Sequence, residues 1–319
     1  MHSYLDFEKP VADLAAQIRE LRKVSESGDA VDVESEIARL ETKRDNGLRE
    51  LYAKLTPWQR TLVARHPDRP HFSAYRDALF TEWTEMAGDR SFAEDAAILA
   101  GLARFGDRPV ALIGQEKGHD TASRVKHNFG SARPEGYRKA VRLMEMADRF
   151  RLPIITLVDT AGAYPGVGAE ERGQAEAIAR ATQACLRVGV PIITVVIGEG
   201  GSGGAIAVAT ANRVYMLENT IYSVISPEGA ASILWRDATK AKDAATAMKI
   251  TAHDLRELGV IDGIVSEPVG GAHRHPQPVF DAVRDVITGA LDELVPMLPD
   301  ELRRHRRAKY IEIGRTLGR

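Results

Sequence analysis

Two apolar segments in the middle of the chain repeat each other at a separation of 38 residues. Residues 152–162 read LPIITLVDTAG and residues 190–200 read VPIITVVIGEG. Each short apolar run opens at a proline and ends at a glycine, which predicts two buried strands that lead into glycine-rich loops. Four glycines then lie close to the start of a predicted alanine-rich helix: Gly200, Gly201, Gly203 and Gly204. Bare amides at a helix N-terminus can donate to a negatively charged group, so we expect function in these loops.

The composition indicates a globular protein whose partners are determined by local surface features and not by overall charge. Of the 319 residues, 44% are hydrophobic, which suffices for a substantial core. The 43 basic and 45 acidic residues nearly balance, so no overall charge draws the chain to nucleic acid or to an anionic membrane. The first residues lack the basic and apolar regions of a signal peptide, and no apolar run approaches ~18 residues. A cytoplasmic location is therefore expected.

The single cysteine, Cys185, excludes an intrachain disulfide and a zinc site built from paired cysteines. It shares a helical pattern with Ile178 and Ala181, which favours a small core residue over a nucleophile. His273 and His275 would need a third ligand to hold a metal ion, and none is identifiable. No metal site is expected in this chain.

Strand and helix patterns alternate along the centre of the chain, which predicts an α/β architecture. The predicted strands are the two repeats and residues 110–114, 213–217 and 220–225. The predicted helices are residues 134–150, about 173–188, the segment after the four glycines, and 230–235. The repeat suggests stacked strand–strand–helix units.

Helical patterns flank this core. Residues 10–56 read as two helices joined by a turn at 25–29, and residues 57–88 continue the helical pattern. The tail from Val279 is helical, and its basic run 303–307 is predicted to be a solvated helix face. The predicted division is an N-terminal helical hairpin or arm (1–60), a core (61–275) and a C-terminal helical tail (276–319).

The second glycine segment also matches a dinucleotide-binding fingerprint. Gly198, Gly200 and Gly203 follow a strand and lead into a helix, and Glu218 lies twenty residues beyond the first of them. The segment is richer in glycine than that motif requires, and an equivalent strand with its own glycine precedes it. A nucleotide-binding module remains open as an alternative.

Ser202 offers a second alternative, because Gly200-x-Ser202-x-Gly204 has the form of a nucleophile elbow. A serine hydrolase would need an acid and a histidine downstream, such as Asp254 and His273. The residue type and position favour a small helix-capping serine over a nucleophile. Labelling by an alkylfluorophosphonate would distinguish the two interpretations.

Five motifs together resemble one known family, the carboxyltransferase alpha subunit of bacterial acetyl-CoA carboxylase. They are PEGYRKA at 134–140, DTAGAYPGVGAEERGQ at 159–174, GEGGSGGA at 198–205, ISPEG at 225–229 and GGAHR at 270–274. The likeness runs from Leu5 to about residue 275. One departure is Ala161, where the family has proline, and this change leaves Gly162 in place.

The resemblance implies a crotonase-like fold of stacked ββα units and an α2β2 assembly with a homologous beta subunit. It implies transfer of a carboxyl group from carboxybiotin, carried on the biotin carboxyl carrier protein, to acetyl-CoA, which gives malonyl-CoA for fatty-acid biosynthesis. Biotin carboxylase would belong to the larger complex. The beta subunit would carry the zinc ribbon and most of the CoA site, so no cofactor is expected to be bound covalently to this chain.

The resemblance also assigns site residues. The amides of Gly203 and Gly204, with Ala205 as a further candidate, would face the ureido oxygen of biotin, where negative charge develops. Residues expected to shape the substrate pocket are Gly162, Ala163, Gly200 and Gly201. For Gly162 and Ala163, a purely structural turn is an equally good interpretation.

Overall fold

A computed structural model of the chain describes residues 3–26 and 33–315. Its strands are β1 (Thr81–Glu85), β2 (Ile98–Phe105), β3 (Arg108–Gln115), β4 (Ile154–Thr160), β5 (Ile192–Gly201), β6 (Arg213–Leu217), β7 (Ile221–Ser223) and β8 (Gly263–Val265). Its helices are α1 (Lys9–Glu26), α2 (Val33–Tyr52), α3 (Pro57–Ala64), α4 (Phe72–Leu79), α5 (Thr121–Lys126), α6 (Pro134–Phe150), α7 (Val167–Glu170), α8 (Gln174–Arg187), α9 (Ser202–Ala209), α10 (Pro227–Trp235), α11 (Ala241–Ala247), α12 (Ala252–Glu257), α13 (Pro276–Leu294) and α14 (Pro299–Ile313). Three single turns of 3₁₀ helix lie at Asp6–Glu8, Asn128–Gly130 and Ala238–Lys240.

The strands form one mixed sheet in the order β1-β2-β3-β4-β5-β6-β8, with β7 paired to the far end of β5. The first three strands are antiparallel, and every pairing from β3 to β8 is parallel. Helices connect the parallel strands, as crossover connections require. The predicted α/β architecture is confirmed.

The pairing of β4 with β5 has the same 38-residue offset as the sequence repeat. Ile154 pairs with Ile192, and each following residue pairs in step as far as Val158 with Val196. The two equivalent threonines, Thr156 and Thr194, lie side by side with their hydroxyl oxygens 2.6 Å apart. The repeat therefore places like residues in lateral contact at the centre of the sheet.

Side chains of β4 enter two apolar cores alternately. Ile154 and Val158 lie in a core with residues of α6, α8 and α9, whereas Ile155 and Leu157 lie in a core with residues of α4 and α13. Every residue of β4 is buried. Burial on both faces explains why the strand is a continuous apolar run rather than an alternating one.

Cys185 lies in the first of these cores, with its Sγ 3.7 Å from Sδ of Met144. Burial raises the pKa of the thiol to about 12. The prediction of a core residue is confirmed, because so buried a thiol is a poor nucleophile at neutral pH.

The helical prediction for residues 57–88 is confirmed by α3 and α4 but is wrong at Thr81–Glu85, which form β1. This strand depends on β2, which the sequence analysis missed. A Cβ atom at Gly101 of β2 would lie 2.7 Å from Cη2 of Trp83, so the tryptophan covers the bare glycine. The partner strand, rather than local propensity, decides the conformation here.

The two N-terminal helices are confirmed as α1 and α2, and the C-terminal helices as α13 and α14. The predicted turn at residues 25–29 is wrong at its start, because α1 continues to Glu26, and the rest of the turn lies outside the described residues. The division into three parts stays a prediction. Among the helices of the described ranges, none is both long enough and apolar enough to cross a bilayer.

The basic run 303–307 is not uniformly solvated, and the prediction is wrong at Arg306, which is fully buried. Its guanidinium donates to the carbonyl oxygens of Val188 at 3.0 Å and Val190 at 2.9 Å, and also to that of Cys185. These carbonyls lie at and beyond the end of α8 and have no partner within that helix. Arg306 thus ties α14 to the entrance of β5.

Candidate active site

The four glycines at the end of the second repeat and just after it do not form a loop. β5 continues through Gly201, and α9 begins at the next residue, so the prediction of a glycine-rich loop is wrong over its first half. A Cβ atom at Gly200 would lie 2.8 Å from the Tyr222 ring, and one at Gly201 would collide with the carbonyl of Ala161. These glycines let other parts of the same chain pack closely against the end of β5.

The same observation counts against the dinucleotide interpretation. That fingerprint needs a turn directly after the strand, with glycine backbone left open to a pyrophosphate. Here Gly198 and Gly200 lie inside β5, and Gly198 packs against the carboxylate of Asp159. The space beside these two glycines, where a phosphate would have to lie, is occupied by the side chains of Asp159 and Tyr222.

The first turn of α9 carries the amides that were predicted to act as donors. Gly203 is half-buried and Gly204 is buried, at the second and third helical positions, where an amide has no partner within the helix. Ala205 occupies the fourth position, where the intrahelical bonds begin. The helix dipole adds to the attraction for negative charge at this end.

The turn after β4 forms the opposite side of the site. Thr160 Oγ1 accepts a hydrogen bond from the Gly162 amide at 3.1 Å and donates to the Gly162 carbonyl at 2.9 Å. A Cβ atom at Gly204 would lie 2.7 Å from the amide nitrogen of Ala163. The structure therefore brings the predicted residues of both repeats into contact.

Ser202 does not cap α9, so that interpretation is wrong. The N-cap residue is Gly201 and no side chain caps the helix, while Ser202 itself has a φ of 51°. Its proposed triad partners are occupied elsewhere: Asp254 accepts a 2.6 Å hydrogen bond from the Thr251 hydroxyl at the start of α12, and His273 stacks on another ring. This arrangement does not favour a serine hydrolase.

Gln115, at the end of β3, connects the two sides of the site. Its Oε1 accepts from the Asp159 amide at 3.2 Å, and its Nε2 donates to the Gly204 carbonyl at 3.1 Å. The side chain is fully buried. It thereby holds the end of β4 and the first turn of α9 at a set separation.

A line of charged side chains runs from the end of β4 to α10, and it is buried at its β4 end and partly exposed at its α10 end. Lys117 Nζ lies 2.8 Å from Asp159 Oδ1 and 2.9 Å from Glu199 Oε1. Arg65 pairs with two carboxylates. Its Nε lies 2.8 Å from Glu199 Oε2, and its Nη1 lies 2.5 Å from Oε1 of Glu228 in α10. These five residues, which we call the charge line, alternate in sign from β4 to α10.

The charges keep both buried carboxyl groups ionised. Burial opposes ionisation, but Lys117 and a hydrogen bond from His71 hold the pKa of Asp159 below its usual range. Lys117 and Arg65 likewise lower the pKa of Glu199 against the effect of burial. Such carboxylates are weak bases, so the chemistry that this region can support is stabilisation of developing negative charge by backbone amides.

The sequence analysis missed the charge line and Gln115. Its only available signal was that the two repeated segments differ at Asp159, where the equivalent residue of the second segment is Ile197. Among the described residues there is no group of three or more His, Cys, Asp or Glu side chains placed to hold a metal ion. His273 instead stacks on His66, with ring centroids 3.7 Å apart.

Comparison with known proteins identifies the family. Residues 4–314 match the family described as acetyl co-enzyme A carboxylase carboxyltransferase-like. The chain is 65% identical over 317 residues to the acetyl-coenzyme A carboxylase carboxyl transferase subunit alpha of Agrobacterium fabrum, covering 99% of this chain and 100% of that protein. The protein of the same name from Rhizobium meliloti is 68% identical with the same coverage.

Solved structures show the same fold at low sequence identity. A transcarboxylase 12S chain matches with a TM-score of 0.57 and 20% identity over 72% of this chain and 44% of its own length. A Pseudomonas malonate decarboxylase hetero-dimer matches with a TM-score of 0.55 and 19% identity over 69% of this chain and 89% of the other. The crotonase-like α/β fold is thereby confirmed, and the full-length sequence matches show that the chain belongs to the acetyl-CoA carboxylase carboxyltransferase alpha-subunit family.

Proposed function

We propose that this chain is the alpha half of a carboxyltransferase that moves a carboxyl group from carboxybiotin to acetyl-CoA and so forms malonyl-CoA for fatty-acid biosynthesis. The observation that carries the proposal is the 68% identity over 317 residues to a protein of that name. The match spans 99% of the chain, so both turns of the candidate site lie within it or within the family match to residues 4–314.

The reaction needs donors for two developing charges. The N–C bond to the carboxyl group of carboxybiotin breaks and leaves negative charge on the ureido oxygen, and removal of a methyl proton from acetyl-CoA puts negative charge on the thioester oxygen. The new C–C bond joins the carboxyl carbon to the acetyl carbon, and the proton ends on biotin. Biotin would supply the acceptor for this proton, so the proposal assigns no residue of this chain as a base.

We assign the amides of Gly203 and Gly204 as donors to the ureido oxygen. Their position in the first turn of α9 supports this assignment, because neither amide is used within the helix. In this proposal Gly162, Ala163, Gly200 and Gly201 shape the wall of the pocket, with Gly201 packed against the turn after β4 and Gly200 packed against Tyr222. Ala205 stays a candidate, although its helical position begins the intrahelical bonds.

The remaining half of the site belongs, in this proposal, to a beta subunit in an α2β2 assembly. That subunit carries the zinc ribbon and most of the CoA site, the carrier protein delivers carboxybiotin, and biotin carboxylase reloads it. The proposed location is the cytoplasm. The word "subunit" in the relatives' names supports the need for a partner.

The test is malonyl-CoA decarboxylation coupled to carboxylation of free biotin, measured on this chain with and without the beta subunit. Transfer is expected in the complex and not in either subunit alone. A complex that assembles but transfers no carboxyl group would contradict the proposed activity. Equal turnover by rigorously beta-free protein would contradict the proposed division of the site.

A further inference from the structure

The pairing of β4 with β5 changes register directly before the candidate site. Val158 pairs with Val196, an offset of 38, but Thr160 pairs with Gly200, an offset of 40. β5 therefore holds two more residues than β4 over this stretch, which is a bulge. Bulges re-aim the end of a strand and leave backbone groups without ladder partners.

Side chains take up the backbone groups that the bulge releases. The Glu199 amide donates to Asp159 Oδ1 at 3.0 Å, and the Ile197 carbonyl accepts from Arg69 Nε at 2.7 Å. Gly198 lies between them against the Asp159 carboxylate, where a Cβ atom would have no room. One buried carboxylate thus contacts both Gly198 and the Glu199 amide within the bulge.

The backbone of Asp159 is also linked to α9, through Gln115. Its own amide donates to Gln115, and Gln115 donates to the Gly204 carbonyl. The carboxylate holds Glu199 three residues before α9, while the backbone holds Gly204 inside its first turn. Asp159 therefore restrains the donor turn from both sides.

On this geometry, and resting on the proposed function, we propose that Asp159 is a positioning residue for carboxyl transfer. Its carboxylate fixes the bulge of β5 and so sets where the amides of Gly203 and Gly204 point. The residue acts through the backbone of β5 and not by contact with substrate.

The carboxylate accepts from three donors: the Glu199 amide, the His71 ring at 2.8 Å and Lys117 at 2.8 Å. An asparagine of the same shape would replace one acceptor oxygen by an NH₂ group facing these donors. It would also remove one of the two carboxylates that pair with Lys117 in this largely buried setting, which disfavours the observed arrangement.

Two variants disturb this contact from opposite sides. Asp159→Asn removes the charge, and Gly198→Ala pushes a methyl group into the carboxylate while keeping Asp159 itself. Gly198 has no positive φ, so alanine there adds no backbone strain. Both should lower kcat of the assembled complex on the order of 10²-fold, with KM for malonyl-CoA within about threefold of wild type, because a small displacement of donors affects the transition state most.

Asp262→Asn is the matched control. Asp262 also accepts a hydrogen bond from a strand amide, that of Val214 at 2.7 Å, and also pairs with a lysine, Lys309. It lies at the opposite end of the sheet, where β6 begins. This variant should leave kcat of the complex at the wild-type value.

Hydrogen exchange measured by mass spectrometry supplies a readout that does not depend on activity. Exchange in peptides covering residues 199–205 should be faster in both test variants and unchanged in the control, with the rest of the chain protected as in wild type. The proposal is overturned if the test variants keep wild-type kcat and exchange. It is also overturned if exchange increases across the whole chain, which would indicate a general role in folding. If the wild-type complex transfers no carboxyl group, the proposed function fails, while the exchange data still decide whether Asp159 holds the bulge.

Discussion

The two repeated segments begin as equivalent strands and end differently. β4 stops at Thr160, and the turn that follows is closed by the threonine's own hydroxyl bonding to Gly162. β5 bulges, continues to Gly201 and passes straight into α9, with its released backbone groups held by Asp159 and Arg69. The shared part of the repeat therefore forms the centre of the sheet, while the parts that differ form the candidate site.

The largest expected effect comes from loss of the Gly203 amide, and two substitutions distinguish that loss from the effect of adding a side chain. Gly203→Pro removes the proposed donor, and Gly203→Ala keeps it. A Cβ atom at this position meets only Ile178, at 3.3 Å, and that side chain can move. Proline should lower turnover of the complex by roughly 10²–10³-fold, or about 2.7–4 kcal/mol, because one oxyanion donor is lost. Alanine should keep turnover near wild type.

The measurement is steady-state turnover of complexes whose folding is checked by circular dichroism and whose assembly is checked by gel filtration. A folded, assembled proline variant with wild-type turnover would remove Gly203 from the site.

The contact between the two turns can be broken at Gly204. Gly204→Ala places a methyl group 2.7 Å from the Ala163 amide nitrogen, which is backbone and cannot rotate away. The variant should lose about 1–3 kcal/mol of unfolding free energy. Urea unfolding of the isolated chain measures this loss, and Gly289→Ala, at a helical glycine with no neighbour within 4 Å, is the control. Equal stability of the two variants would mean that the turns are not in contact.

The charge line predicts a pH dependence with a defined sign. The pKa values of Asp159 and Glu199 in the folded chain lie below their ordinary values of 3.8 and 4.5. Their ionic contribution is therefore fully present above about pH 5 and is lost as the pH falls through the folded-state values. The stability difference between wild type and Asp159→Asn, measured by urea unfolding, should shrink as the pH falls from about 6 to about 3. This range extends about one to two units on either side of the unfolded pKa values. A difference that grows on acidification would contradict this assignment of charge.

The smallest expected effect concerns Ser202, which lies at the junction of β5 and α9 with a φ of 51°. Glycine adopts this conformation without the strain of about 1 kcal/mol that an L-residue carries. Ser202→Gly should raise the unfolding free energy by up to about that amount, and Ser202→Ala should keep most of the activity. A loss of turnover by several orders of magnitude in a folded Ser202→Ala variant would restore the hydrolase interpretation.

Much of the fold and part of the site could be predicted from the sequence. The apolar repeat predicted β4 and β5, and proline and glycine signals bounded α6 and α8 closely. The family resemblance placed Gly162 and Gly204 in one region, and the two residues are in contact. It did not show that β5 extends through Gly201, because a glycine-rich segment carries the signature of a loop until its partners are known.

The sequence alone specified the two central strands, since each apolar run between a proline and a glycine needs burial on both faces of a sheet. The bulge and the charge line depend on contacts between distant parts of the chain. Arg65 and Lys117 meet Glu199 from positions 134 and 82 residues earlier in the chain. Periodicity reports which face of a local element is buried, whereas ion pairing depends on which distant side chains the completed sheet brings together. The same reason applies to Arg306, whose basic neighbours suggested solvent and whose acceptors lie more than a hundred residues away.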